Sequence, residues 1–149
     1  MYERPATAEE FLKTYEDASL EKVRCLWQIQ QLEEQAMNIT TVIRDHVGGS
    51  TGDPHKDAAL IAYAEQAGEL REQMTRCDEQ MAAVEAFIDA HPDRVGKAIL
   101  LLRYKHLLPW EDVIKQLSLL RFSYSERHIY RLHQKALSEA ETRWEAESP

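Results

Sequence analysis

The sequence predicts an all-α fold: a long antiparallel coiled-coil hairpin followed by a small domain of three short helices. Three observations carry this reading. Apolar residues recur at alternating spacings of three and four through the first 88 positions. One glycine- and proline-containing stretch, VGGSTGDPHKD, interrupts that series near its middle. Glycine and proline are otherwise scarce, at five each in 149 residues, and alternating β-branched stretches are absent.

The first helix is expected to start near Ala8, because Thr7 and Glu10 have the spacing of a capping box. Its core series is Ala8, Phe11, Tyr15, Ala18, Lys22, Cys25, Ile29, Leu32, Ala36, Ile39 and Ile43, with Lys22 the one polar member. The second helix carries Leu60, Tyr63, Ala67, Leu70, Met74, Cys77, Met81, Val84 and Ile88. Such heptads define a left-handed coiled-coil seam. Folding about a loop centred near residue 51 sets position n opposite about position 102 − n, which brings Cys25 across from Cys77. The seam is weak, with Ala, Cys, Met and Tyr where Leu and Ile would pack more firmly. Leu12, Leu20, Val23, Leu26, Trp27, Ile61 and Phe87 fall outside it and need a cover. Self-association, a partner protein and packing on the C-terminal domain are the candidates.

The AHPD segment breaks the second helix at Pro92, and Asp93 can cap the next. The expected domains are therefore 1–92, the hairpin, and 93–149, three short helices with an acidic tail. In the first of these helices Val95, Ile99, Leu102 and His106 share a stripe. Pro109 suits the start of WEDVIKQL, which turns Trp110, Val113, Ile114 and Leu117 inward. Ser125 can cap the last helix, whose inward stripe is Ile129, Leu132, His133 and Ala136. Three short helices in this order form a helix-turn-helix arrangement.

Charge divides the chain the same way. Residues 1–93 hold 8 Lys/Arg against 19 Asp/Glu, residues 94–135 hold 9 against 3, and residues 136–149 hold 1 against 4, which gives the net −8. A basic segment in an acidic chain points to a polyanionic partner. With Ile129 and Leu132 turned inward, Arg127, His128, Tyr130, Arg131, Gln134 and Lys135 occupy the other faces of the last helix. Arg pairs with guanine edges, Gln with adenine, and Lys and Tyr reach phosphates. Base reading is expected from Glu126, Arg127 and His128, joined by Arg131, because the N-terminal part of such a helix approaches the bases. Gln134, Lys135, Lys105 and Arg121 are expected nearer the backbone.

The residues LLLRYKHLLPWEDVIKQL and YSERHIYRLHQKAL resemble region 4 of sigma-70-like factors. They are more similar still to small phage and prophage proteins of Gram-positive bacteria that join an N-terminal coiled coil to such a helix-turn-helix. That family is described as phage transcriptional regulators, alongside the ArpU- and RinA-type late-gene activators. The resemblance implies sequence-specific binding of double-stranded DNA. It also implies that Trp110 and Val113 anchor the first helix of the motif and that Ser125 caps the recognition helix, at about 125–137. One departure stands out: Ser118 to Ser123 lengthen the connection between the two helices. Either the first helix runs on through Leu119 and Leu120, or the turn is an unusual loop.

Other classes fit less well. There is no glycine-rich phosphate loop, nucleophile elbow or histidine pair at i, i+4, so no enzyme, cofactor or metal site is expected. His128 and His133 do not share a helix face. Asp45, His46, Asp53, His55 and Asp57 suit turn chemistry around the hairpin loop. No apolar run reaches the roughly 18–20 residues that span a bilayer, and the acidic N-terminus lacks an apolar h-region, so no signal peptide is expected there. Two cysteines without a CxxC spacing fit a reduced, cytoplasmic protein. The acidic coil has the wrong charge to lie along DNA; its expected role is homodimerisation or contact with a protein such as RNA polymerase. A phage DNA-packaging subunit of the small-terminase type and a coiled-coil adaptor without DNA affinity are the competing readings.

Overall fold

The computed structural model describes residues 4–45 and 54–147, and among these every regular element is helical. The elements are α1 (Ala8–Asp45), α2 (Pro54–Asp89), α3 (Arg94–Leu100), a π-helical turn continuing it (Leu101–Lys105), α4 (Trp110–Leu119) and α5 (Glu126–Ala146). The tip of the hairpin, including the expected loop centre and the residues His46 and Asp53, lies outside the described residues. No described helix is long and apolar enough to cross a membrane.

The chain divides into two compact units. Met1–Ala18 with Glu79–Pro149 form one, and Ser19–Asp78 form the other. The division expected at residues 92 and 93 therefore falls inside the first unit. Packing explains the difference. Leu12 and Phe87, both off the heptad seam, are buried in one cluster with Leu100 and Tyr104 and with Ala136, Ala140 and Trp144 of α5. The ends of the hairpin helices thus share a core with α3, the turn that follows it and α5. Phe11, Phe87 and Trp144 form its aromatic centre: Phe11 stacks on Trp144 at 4.5 Å between ring centroids, and Phe87 meets both edge-on.

The acidic tail is a second correction. Residues 138–146 continue α5, because Ala140 and Trp144 extend the inward stripe of Ile129, His133 and Ala136. The segment is also tied to the N-terminus. Glu141 accepts from the Ala8 amide at 2.7 Å, the Arg4 guanidinium lies over the Trp144 ring, and the Trp144 indole N–H donates to the Pro5 carbonyl. A carboxylate at the start of α1 is favourably placed against the helix dipole. Thr7 caps α1 as expected, accepting from the Glu10 amide at 3.2 Å.

In the second unit part of the expected heptad series is buried; Leu32, Ala36, Ile39, Leu60, Tyr63, Leu70 and Met74 are half-buried, and the Ile43 side chain lies outside the described residues. Cys25, Ile29, Ala67 and Cys77 are buried, and both thiols are free. Burial pushes both thiols above their ordinary range. Lys22, the polar member of the series, reaches across to Asp78 at 2.7 Å, and Arg71 faces Glu33 at 3.5 Å. Both pairs lie within one helical turn of the expected register. Leu20, Val23, Trp27 and Ile61 are each about 60% exposed, and Leu26 is 46% exposed.

Two departures from regular helix shape the C-terminal helices. The π turn bonds the His106 amide to the Leu101 carbonyl and rotates Tyr104 into the core. His106, expected on the inward stripe, is exposed instead. At its end Leu107 adopts φ 55°, a left-handed conformation uncommon for leucine. The second departure resolves the lengthened connection: α4 runs on to Leu119 and ends in a Schellman motif. The Phe122 amide bonds the Leu117 carbonyl at 2.8 Å and the Arg121 amide bonds that of Ser118 at 3.0 Å. Arg121 takes the left-handed position, φ 69°, that glycine usually fills. Phe122 then packs with Leu117, Val113, Ile99 and Ile129, the core that holds α3, α4 and α5 together.

Candidate nucleic-acid interface

α5 begins where the sequence places it. Ser125 is the N-cap, with its hydroxyl accepting from the His128 amide at 3.2 Å. At 100° per residue, Ile129, His133, Ala136 and Ala140 line the buried side. Arg127, Arg131, Gln134, Lys135 and Ser138 lie together on the opposite side, all exposed. Among the described residues Arg127, Arg131 and Gln134 make no ion pair or side-chain hydrogen bond, and Arg127 pairs with neither Glu111 nor Glu126. Lys135 makes only a long i,i+4 contact to Glu139 at 3.9 Å. The result is one face with three cations, an amide and no carboxylate over its first three turns.

The remaining expected contacts are placed differently. The Tyr130 hydroxyl donates to Glu126 at 2.9 Å, and its ring meets Trp110 edge-on at 5.1 Å. That bond to the carboxylate, with smaller contributions from burial and charge, raises the Tyr130 phenol above its ordinary range. Glu126 is thus held beside Tyr130, around the helix from Arg127 and Arg131. His128 lies on the other edge of the exposed face, against the Tyr124 ring at 4.8 Å. Lys105 sits at the end of the π turn, and its ammonium is 3.5 Å from Glu85 of α2, so it does not join the α5 face in an unpaired state. Arg121 is exposed in the turn that leads into α5.

Below this face lies an arrangement the sequence did not reveal. Tyr104 and His133 are both buried and share a hydrogen bond of 3.0 Å. Trp110 packs edge-on against His133, and the Arg103 guanidinium lies 4.9 Å over the Trp110 ring. Burial, reinforced by the Glu9 charge, pushes Tyr104 up to about 12. Burial also holds His133 below its ordinary value, which keeps it neutral. These side chains fix the rotation of α5 against α3 and α4, and so decide which residues face outward. Lys115, exposed on α4, is a further cation that the resemblance did not single out.

The geometry gives two helices, α4 and α5, joined by a tight turn, with an exposed basic face on the second. No family model, curated protein or solved structure matches this chain. No group of acidic, histidine or cysteine side chains among the described residues could hold a metal ion.

Proposed function

We propose that the chain is a cytoplasmic, non-catalytic regulator of transcription that binds double-stranded DNA through α5, as the phage and prophage proteins it resembles are described to do. The observation that carries this is the carboxylate-free row of Arg127, Arg131, Gln134 and Lys135 on the outer side of a capped, well-packed helix. Phosphate attraction supplies affinity to such a face, and the guanidinium and amide groups supply base discrimination. Arg127, one residue past the start of α5, is the leading base-reading residue, with Arg131 one turn on. Lys135 and Arg121 contact phosphates.

The exposed Leu20, Val23, Leu26 and Trp27 on α1 support a second part of the reading, in which the acidic coil joins two copies of the chain. RNA polymerase is the alternative occupant of that surface. Selection of bound duplexes from a random pool, using the full chain, tests the proposal. An enriched motif with dyad symmetry is expected for a dimeric regulator, and no enrichment would remove the DNA-binding reading.

A further inference from the structure

A cleft of about 610 Å³ opens beside the first turns of α1, within the unit that carries α5. Its volume lies in the usual range for sites that take small molecules. Trp110, Tyr104 and His133 form its aromatic wall, and Glu9, Glu16 and Asp17 of α1 line the acidic side. The π turn and the left-handed Leu107 both border it. Such backbone departures cost energy and recur at functional sites.

Three features specify what would fit. His133 is 8% exposed, and one ring nitrogen, Nε2, is bonded to the Tyr104 hydroxyl. Its other ring nitrogen, Nδ1, has no hydrogen-bond partner among the described residues, although the side chain lines the cleft. Nδ1 is not among the fully buried unpartnered atoms of the described residues, so it is open to the cleft and can accept from a ligand donor. Second, the Arg103 guanidinium lies 4.9 Å over the Trp110 ring, so Trp110 offers the cleft apolar surface for a carbon skeleton rather than a site for its charge. Third, Lys13 is held by Glu9 at 3.4 Å and Arg103 donates to the Leu108 carbonyl at 2.9 Å. Asp17, by contrast, has no ion pair among the described residues.

We propose that this cleft binds a small organic cation bearing N–H donors, a primary amine or a guanidine. One N–H donates to Nδ1 of His133, the charge is met by Asp17, with Glu9 shared between the ligand and Lys13, and the carbon skeleton lies along Trp110. Burial keeps His133 neutral, so Nδ1 is able to act as an acceptor when Nε2 carries the proton. An anion is disfavoured by the acidic side, and a quaternary ammonium cannot make the bond to Nδ1.

Calorimetric titration of the full chain with agmatine, putrescine and choline tests this. Saturable one-to-one binding of agmatine or putrescine is expected, with choline weaker by about tenfold or more. The Glu9→Gln/Asp17→Asn variant, whose exposed positions leave the core intact, should lose about tenfold in affinity. A control variant, Glu65→Gln/Glu72→Gln, removes the same charge elsewhere and should bind as the parent does. The proposal fails if neither amine binds, if choline binds equally well, or if both variants lose affinity alike.

Discussion

The Tyr104 hydroxyl and the His133 imidazole share a buried hydrogen bond of 3.0 Å, joining the π turn to the middle of α5. Their rings also lie nearly parallel, at 5.9 Å between centroids. The bond couples the rotation of α5 to a local departure from α-helix 29 residues earlier in the chain.

That pair makes stability depend on pH. Burial lowers the pKa of both His133 and His91 below 6.5. For His133 the Glu9 charge opposes the shift and Arg103 reinforces it; for His91 Glu139 and Asp93 oppose it and Arg143 reinforces it. Below the unfolded value of 6.5 the unfolded chain binds more protons than the folded one. Stability is therefore full above that value and falls as the pH drops from it toward the folded pKa values. Urea unfolding at about pH 8 and about pH 5 should show the loss, and His133→Gln should flatten the dependence. Equal slopes in parent and variant would remove His133 as a source.

Gly96 is expected to resist substitution. A Cβ there would stand 2.7 Å from His91 Nε2 and 3.1 Å from Asp93 Oδ2, the carboxylate that caps α3. His91 has little room to retreat. Its side chain is fully buried, and although Glu139 lies 3.3 Å from Nε2, neither ring nitrogen makes a well-angled hydrogen bond. Gly96→Ala should destabilise by about 1–3 kcal/mol. The same substitution in a His91→Ala background should cost much less, which a double-mutant cycle measures.

Arg121 separates backbone strain from charge. A left-handed conformation costs a non-glycine residue about 1–2 kcal/mol, so Arg121→Gly should raise the melting temperature. The same change should weaken DNA binding and reduce its salt slope by about one unit if Arg121 contacts one phosphate. A lower melting temperature would mean that the Arg121 side chain stabilises the turn by contacts of its own.

Trp144 tests whether the C-terminal residues belong to the core. Trp144→Ala removes the ring that stacks on Phe11 and meets Phe87, and should cost about 3–5 kcal/mol by chemical denaturation. Truncation after Leu137 should abolish the cooperative transition of that unit. A truncated chain as stable as the parent would return residues 138–146 to the status of a tail.

Much of this fold was legible because it rests on local signals. The heptads of α1 and α2, and the caps at Thr7, Asp93 and Ser125, each follow from short-range spacing. The π turn carries no such signal, since it follows from the fit of Tyr104 to His133. Arg121 was opaque for a related reason: the left-handed position of a Schellman motif is normally announced by glycine, and here none is present. The continuation of α5 was legible in principle, because Ala140 and Trp144 extend the stripe of Ile129, His133 and Ala136. The three acidic residues of that stretch, Glu139, Glu141 and Glu145, masked the periodicity. The division into units was hidden because the heptads run without change past Ala18 and Glu79. At the proposed interface, the exposed row of Arg127, Arg131, Gln134 and Lys135 was legible from helical period. The side chains that restrain Glu126, Tyr130 and Lys105 were not, since their partners lie on the helix itself or on distant elements.

The central claim is that the outer face of α5 reads duplex DNA. Its most direct test is the affinity of the full chain and of Arg127→Ala for a selected duplex and for a scrambled one, measured by fluorescence anisotropy at fixed salt. The variant is expected to lose about 1–3 kcal/mol on the selected duplex and much less on the scrambled one, with an unchanged melting temperature. Equal losses on both duplexes, or discrimination as strong as the parent's, would contradict it.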